Sequence, residues 1–139
     1  MALAATYKYM DESALACPSR ATVRLYDDAI AALRAAIAAI EIDDIEARCI
    51  AIRTATEVVT SLYLYIDVKR DREVADALST LYSHVIGLLL RVNLYNDGKI
   101  AERVIDLLEP LRGSWANIET VVAQSLQDHS ASRWSANAS

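Results

Sequence analysis

Leu25–Ile40 reads LYDDAIAALRAAIAAI, and the spacing of apolar residues in and around it decides how the chain folds. Val23, Tyr26, Ile30, Leu33, Ile37 and Ile40 alternate steps of three and four, which winds them into a single stripe along a helix. Alanines at 29, 31, 32, 35, 36, 38 and 39 raise helix propensity and let a neighbouring backbone come close. A helix cannot cover such a stripe by itself, so the rest of the chain must supply the covering surfaces.

Three further helices are expected. The second opens at Asp43, with Asp43 and Glu46 at cap and third positions, and carries Ile45, Cys49, Ile52, Val59 and Ile66 with Thr56 as the stripe's polar member. The charged run Asp67–Asp71 makes a short turn. The third carries Val74, Leu78, Leu81, Val85, Leu88, Val92 and Tyr95 in unbroken alternation. Asn96, Asp97 and Gly98 turn the chain into the fourth, whose stripe is Val104, Leu108, Leu111, Trp115, Ile118 and Val122. Pro110 interrupts this last helix, which predicts a kink and an exposed outer face. Pro18 suits the first position of the first helix, where a missing N–H costs nothing. The expected fold is all-α, an antiparallel up-down four-helix bundle over 17–123. An apolar segment precedes it at 1–16, and a flexible Ser-, Asn- and Ala-rich tail follows at 124–139.

Composition narrows the function. Three glycines and two prolines are too few for a many-stranded β protein, and a net charge of -5 with no basic run opposes nucleic-acid binding. The N-terminus lacks a basic segment before an apolar core. The longest uncharged run, Ala77–Leu90, is shorter than the ~20 residues of a membrane span, so a cytoplasmic protein without membrane insertion is expected. Cys17 and Cys49 have no ligand spacing and read as buried, inert thiols of a reducing compartment.

Little in the chain suggests chemistry. A di-metal bundle site needs inward Glu and a Glu-x-x-His pair, which is absent, and His84 and His129 stand apart, so no metal or cofactor is expected. Asp27/Asp28 and Asp43/Asp44 are adjacent in sequence and split across helix faces. Arg48 and Arg53 lie in a stretch superficially like that of small helical chorismate mutases, but at positions that look exposed. No catalytic residue is assigned, and the mutase remains a minor alternative. More informative is the apolar surplus beyond the stripes: Ile50, Val58, Leu62 and Tyr63 on the second helix, and Tyr82, Ile86, Leu90 and Leu94 on the third. This second face is either another buried flank or a groove for another helix.

Several fragments together resemble the FliS family of flagellin-specific export chaperones. They are Pro18 followed by Leu25–Asp27 (LYD), Glu57 with Leu62, Leu81–Tyr82, Leu89 with Asn93 and Asp97, and Leu111–Trp115 (LRxxW), in order across residues 17–115. The chain departs from the family pattern at Cys17, Arg24, Val92 and Pro110. The resemblance implies a cytoplasmic, non-enzymatic chaperone without cofactor that binds the disordered C-terminal segment of flagellin, prevents premature polymerisation and keeps it competent for type III export. The second face and the apolar N-terminal segment supply the expected client-binding residues Tyr7, Tyr9, Ile50, Val58, Leu62, Tyr82, Ile86 and Leu90, and the resemblance implies that residues 1–16 cover part of that surface in the empty protein, expected to be monomeric. The flagellar export apparatus is a further expected partner. A self-associating regulatory bundle is the alternative.

Overall fold

The alternating stripes form helices that cover one another. The computed structural model describes residues 18–66, 69 and 71–138, and among these all regular structure is helical. The helices are α1 (Pro18–Glu41), α2 (Ile45–Leu64), α3 (Arg72–Tyr95) and α4 (Gly98–Ala138). Each packs on two neighbours in a ring: α1 and α3 both touch α2 and α4, while the diagonal pairs stay apart. Arg34 donates to Glu109 at 3.0 Å and Arg112 to Asp27 at 2.8 Å, which sets α4 antiparallel to α1. Both pairs are exposed and so fix register more than stability. The fold is the expected four-helix bundle.

On α1 the stripe residues Val23, Tyr26, Ile30 and Leu33 are buried, and Ile37 and Ile40 pack partly buried against the same core. Burial spreads wider than the stripe, to Leu25, Ala29, Ala32 and Ala36, because α1 is covered on two sides. From the other helices Ile52, Val59, Val85, Val92, Val104 and Leu108 complete the core, each worth about 1.5–3 kcal/mol of burial. Thr56 turns its hydroxyl to the carbonyl of Ile52 at 2.8 Å, so the polar member of α2's stripe has its hydrogen bond within the helix. By length and composition α3 could cross a bilayer. Here Tyr82, Val85, Leu89 and Val92 are bundle core.

The turns correct one expectation about capping. Asp44, and not Asp43, caps α2, its carboxylate accepting from the N–H of Ala47 at 3.0 Å. Asp43 stands in the left-handed region at φ 59. The N–H of Asp43 bonds to the carbonyl of Ile40 and that of Asp44 to Ala39, the paired closure that ends a helix when the residue beyond it turns left-handed. One aspartate closes α1 and the next opens α2. Asn96, at φ 50, likewise stands in the left-handed region where α3 ends, and Asp97 accepts from the N–H of Lys99 to open α4.

Arg48 is only 8% exposed, contrary to the exposed position read from its spacing. Its guanidinium donates to the side-chain oxygens of Asn93 (3.3 Å) and Asn96 (2.5 Å), so neutral acceptors on α3 hold it against the bundle. A long apolar stem allows this burial, and a hydrophobicity pattern cannot register it. Cys49 is exposed instead of buried. Ile45, Val74, Tyr95 and Ile118, expected on core stripes, are exposed; the first three sit in the first or last turn of their helices, and Ile118 lies beyond Leu108, the last buried residue of α4 among those described. The backbone of α4 continues to Ala138, past residue 123, where the sequence ends the bundle. No glycine or proline follows Gly113, so the low apolar content there argued against a core and not against a helix.

Pro110 lies on the exposed side of α4 within continuous helix. Pro110→Ala restores the N–H that proline lacks, and the expected outcome is stabilisation of roughly 1–3 kcal/mol, seen as a Tm several degrees higher. A lower Tm would mean that the core depends on a bend there. Asp43→Gly removes the steric cost of a left-handed Cβ and is expected to raise stability by about 0.5–1 kcal/mol in chemical denaturation.

Candidate functional site

Two tyrosines reach across the diagonal that the backbones leave open. The hydroxyls of Tyr26 on α1 and Tyr82 on α3 meet at 2.5 Å, deep in the core, and the Trp115 side chain of α4 also bonds to Tyr26. An indole N–H can only donate, so the Tyr26 oxygen accepts from Trp115. Burial is the main cause that pushes both tyrosine hydroxyls above their ordinary value near 10, and each tyrosine's neutral form is the one the core holds.

Beside this cluster lies a cavity of about 500 Å³. Leu62, Tyr65, Leu78, Tyr82, Trp115 and Ile118 form much of its wall, and Thr22 places it near the start of α1. Its size is that of a small-molecule or side-chain pocket, and its wall is mostly apolar. Asp71, also in the lining, is engaged in capping α3 through the N–H of Val74. The Tyr65 hydroxyl is buried without a hydrogen-bond partner among the described residues, and burial raises its pKa as well. Such a wall suits an inserted apolar side chain that brings a polar atom with it.

The structure brings only some of the sequence-derived site residues together. Leu62 and Tyr82 share the cavity wall, and Val58 is buried one turn before Leu62 on α2. With Tyr82 at 2% exposure, these three are core, so this part of the second face is a buried flank. Ile86 is half-buried against the same core, while Leu90 is 61% exposed one turn further along α3. Leu90 lies about 60° around α3 from Asn93, which bonds to α2, so it sits near the α2–α3 flank. Ile50, 48% exposed, follows Arg48 by two residues, a rotation of about 200°, and therefore points away from α3. Ile50 and Leu90 thus do not form one surface. Tyr7 and Tyr9 lie outside the described residues. Tyr65, Leu78, Trp115 and Ile118 were not assigned to a site from the sequence. The one signal that pointed to any of them was Trp115 at the end of the LRxxW fragment.

A family model described as flagellar protein FliS matches residues 2–122 of this chain. The chain belongs to the FliS family. It is 34% identical over 104 residues to the flagellar secretion chaperone FliS of Salmonella typhimurium, across 74% of this chain and 77% of the relative. It is 28% identical over 108 residues to the flagellar secretion chaperone FliS of Campylobacter jejuni, across 78% of this chain and 84% of the relative. FliS is a chaperone family and not an enzyme family, which sets aside the mutase alternative. Arg48 of this FliS chain, the residue that prompted that alternative, is occupied with Asn93 and Asn96.

The raised hydroxyl pKa values carry a pH dependence with a definite sign. Below pH ~10 folded and unfolded chains both keep the Tyr82 proton; above it the unfolded chain releases the proton while the folded core retains it, so stability falls as pH rises. Chemical denaturation is expected to show a flat midpoint from neutral to about pH 9 and a decline beyond. Tyr82→Phe should cost about 1 kcal/mol at neutral pH, through the lost bond to Tyr26, and should make the alkaline decline shallower. An unchanged alkaline slope in the variant would assign the decline to other groups.

Proposed function

We propose that this chain is a cytoplasmic export chaperone that holds the C-terminal segment of flagellin, keeps it from polymerising early and delivers it for export. The observation that carries this reading is apolar surface that the bundle leaves uncovered, in a chain of the FliS family. Leu90 stands exposed on α3 and Ile50 on α2, and a largely apolar cavity opens beside Tyr82. An unfolded client segment docks its own apolar stripe on such a surface as a helix. Ordering the client lowers affinity per unit area, which permits later release. While it is held, its stripe cannot pack against another flagellin.

In this reading Ile86 and Leu90 contact the client along the flank, Leu62 and Tyr82 receive it in the cavity wall, and Val58 supports them from beneath. Ile50 makes a separate contact on the other side of α2, as a wrapping client requires. Tyr7 and Tyr9 belong to the segment that covers the surface when no client is bound.

The test is calorimetric titration with a peptide of the flagellin C-terminal segment. Leu90→Asp should weaken binding about tenfold or more with unchanged helix content, since Leu90 is outside the core. Tyr82→Glu should instead unfold the protein, because it buries an unpaired charge at the centre of the bundle. Full-strength binding by Leu90→Asp would move the client elsewhere, and absence of peptide binding by the intact chain would end the proposal. The exposed apolar residues of α3 also fit a self-associating bundle. A stable dimer in light scattering that Leu90→Asp dissolves, with no response to the peptide, would favour that reading.

A further inference from the structure

At the end of the bundle opposite the cavity, a second apolar surface has a different electrostatic setting. Ile42 is 74% exposed in the α1–α2 turn, Ile45 is exposed in the first turn of α2, and Leu94 and Tyr95 are exposed in the last turn of α3. Four large apolar side chains at one end are more than the scattered single ones that ordinary surfaces carry. Tyr95 also walls an open cleft of about 350 Å³ at this end, with Ile37, Ile40, Glu41, Lys99 and Glu102 among the other lining residues. The Arg48–Asn96 bond holds the start of α2 to the end of α3, so these segments form one rigid end.

The charge around the patch is one-sided. Residues 40–49 and 94–102 hold Glu41, Asp43, Asp44, Glu46, Asp97 and Glu102 against Arg48 and Lys99, a balance of -4 in a chain whose net charge is -5. Asp44 and Asp97 cap helices. The other four carboxylates are exposed and make no ion pair with a described residue. An apolar patch with an acidic rim repels nucleic acid, an anionic membrane and a second copy of itself, and it attracts apolar residues flanked by Lys and Arg.

We infer that this end is a docking surface for a basic amphipathic helix of a partner protein, separate from the flank and cavity proposed for the client. The apolar stripe of that helix covers Ile42, Ile45 and Tyr95, and its cationic edges meet Glu41, Glu46 and Glu102.

The probe is a synthetic helical peptide of leucine and lysine only, titrated into the full chain by nuclear magnetic resonance and calorimetry. Shift changes should concentrate at residues 37–46 and 94–102, and binding should weaken as salt rises. The double variant Glu41→Lys/Glu102→Lys should lose about tenfold in affinity for this peptide and keep its affinity for the flagellin peptide. Ile45→Ser tests the apolar part and should weaken peptide binding without a charge change. Shift changes confined to the Ile86–Leu90 flank or the cavity would overturn the inference, as would affinity indifferent to the charge reversal. So would a dimer in light scattering that Ile42→Ser dissolves, since the patch would then serve a second copy. A chain that fails to bind flagellin yet shows these peptide effects would leave this inference standing and remove only the client reading.

Discussion

The close packing of α1 against both neighbours is the constraint from which the other features follow. Ala29 and Ala36 are fully buried, and Ala32 nearly so. Side chains this small let α2 and α4 settle near the α1 backbone on either side, and α1 makes its closest packing with those two helices. The α3 helix is left on the far side of the ring, where its backbone does not approach α1 and a long side chain is needed to reach it. Tyr26 and Tyr82 meet that need, and their shared hydrogen bond, with Trp115 beside it, ties α1, α3 and α4 together. Three polar groups in a core are acceptable because each finds a partner there.

This asymmetry locates the surplus apolar surface. A helix gripped on two sides hides nearly all its large side chains, as α1 does; α2 shows Ile45, Ile50, Tyr63 and Leu64 on the faces turned from α1, and α3 shows Val74, Leu90, Leu94 and Tyr95. The two ends of the bundle differ for a related reason. At one end Asp43 and Asn96 adopt left-handed conformations that close each turn in two or three residues. At the other, the longer connection from Tyr65 to Asp71 leaves room for the cavity. Large apolar side chains are buried along α1, and the exposed ones are shared between α2 and α3.

Much of the fold could be read from the chain because it depends on period. The α1 stripe, the four helices, their antiparallel order and the cap role of an aspartate before α2 follow from spacing and turn chemistry. Period assigns a face and leaves the extent of its coverage undecided, so Ile45, Val74, Tyr95 and Ile118 keep a core spacing and are nonetheless exposed. It also scores arginine as polar and cannot anticipate that Asn93 and Asn96 would receive Arg48. The site was less legible for the same reason. Val58, Leu62 and Tyr82 share their spacing with Ile86 and Leu90. Only the packing of α2 on α3 separates the buried members from the exposed one. The cavity depends on Trp115 and Tyr65, which come from elements far apart in sequence, and no local pattern brings them together.

The cavity and the acidic end lie at opposite ends of the bundle. The cavity lies beside Thr22 and the acidic cleft beside Glu41, which places them about 30 Å apart along α1 at the rise of an α-helix. That exceeds the screening length of about 8 Å at physiological salt several times over, so the acidic end neither attracts nor repels what binds at the cavity. A chaperone for an unfolded segment needs an apolar surface wherever its client lies, and any charge of one sign beside that surface would bias which clients it takes. With -4 of the net charge of -5 in the segments at the far end, the rest of the chain carries about -1, so electrostatic selection belongs to that end and apolar contact dominates at the cavity.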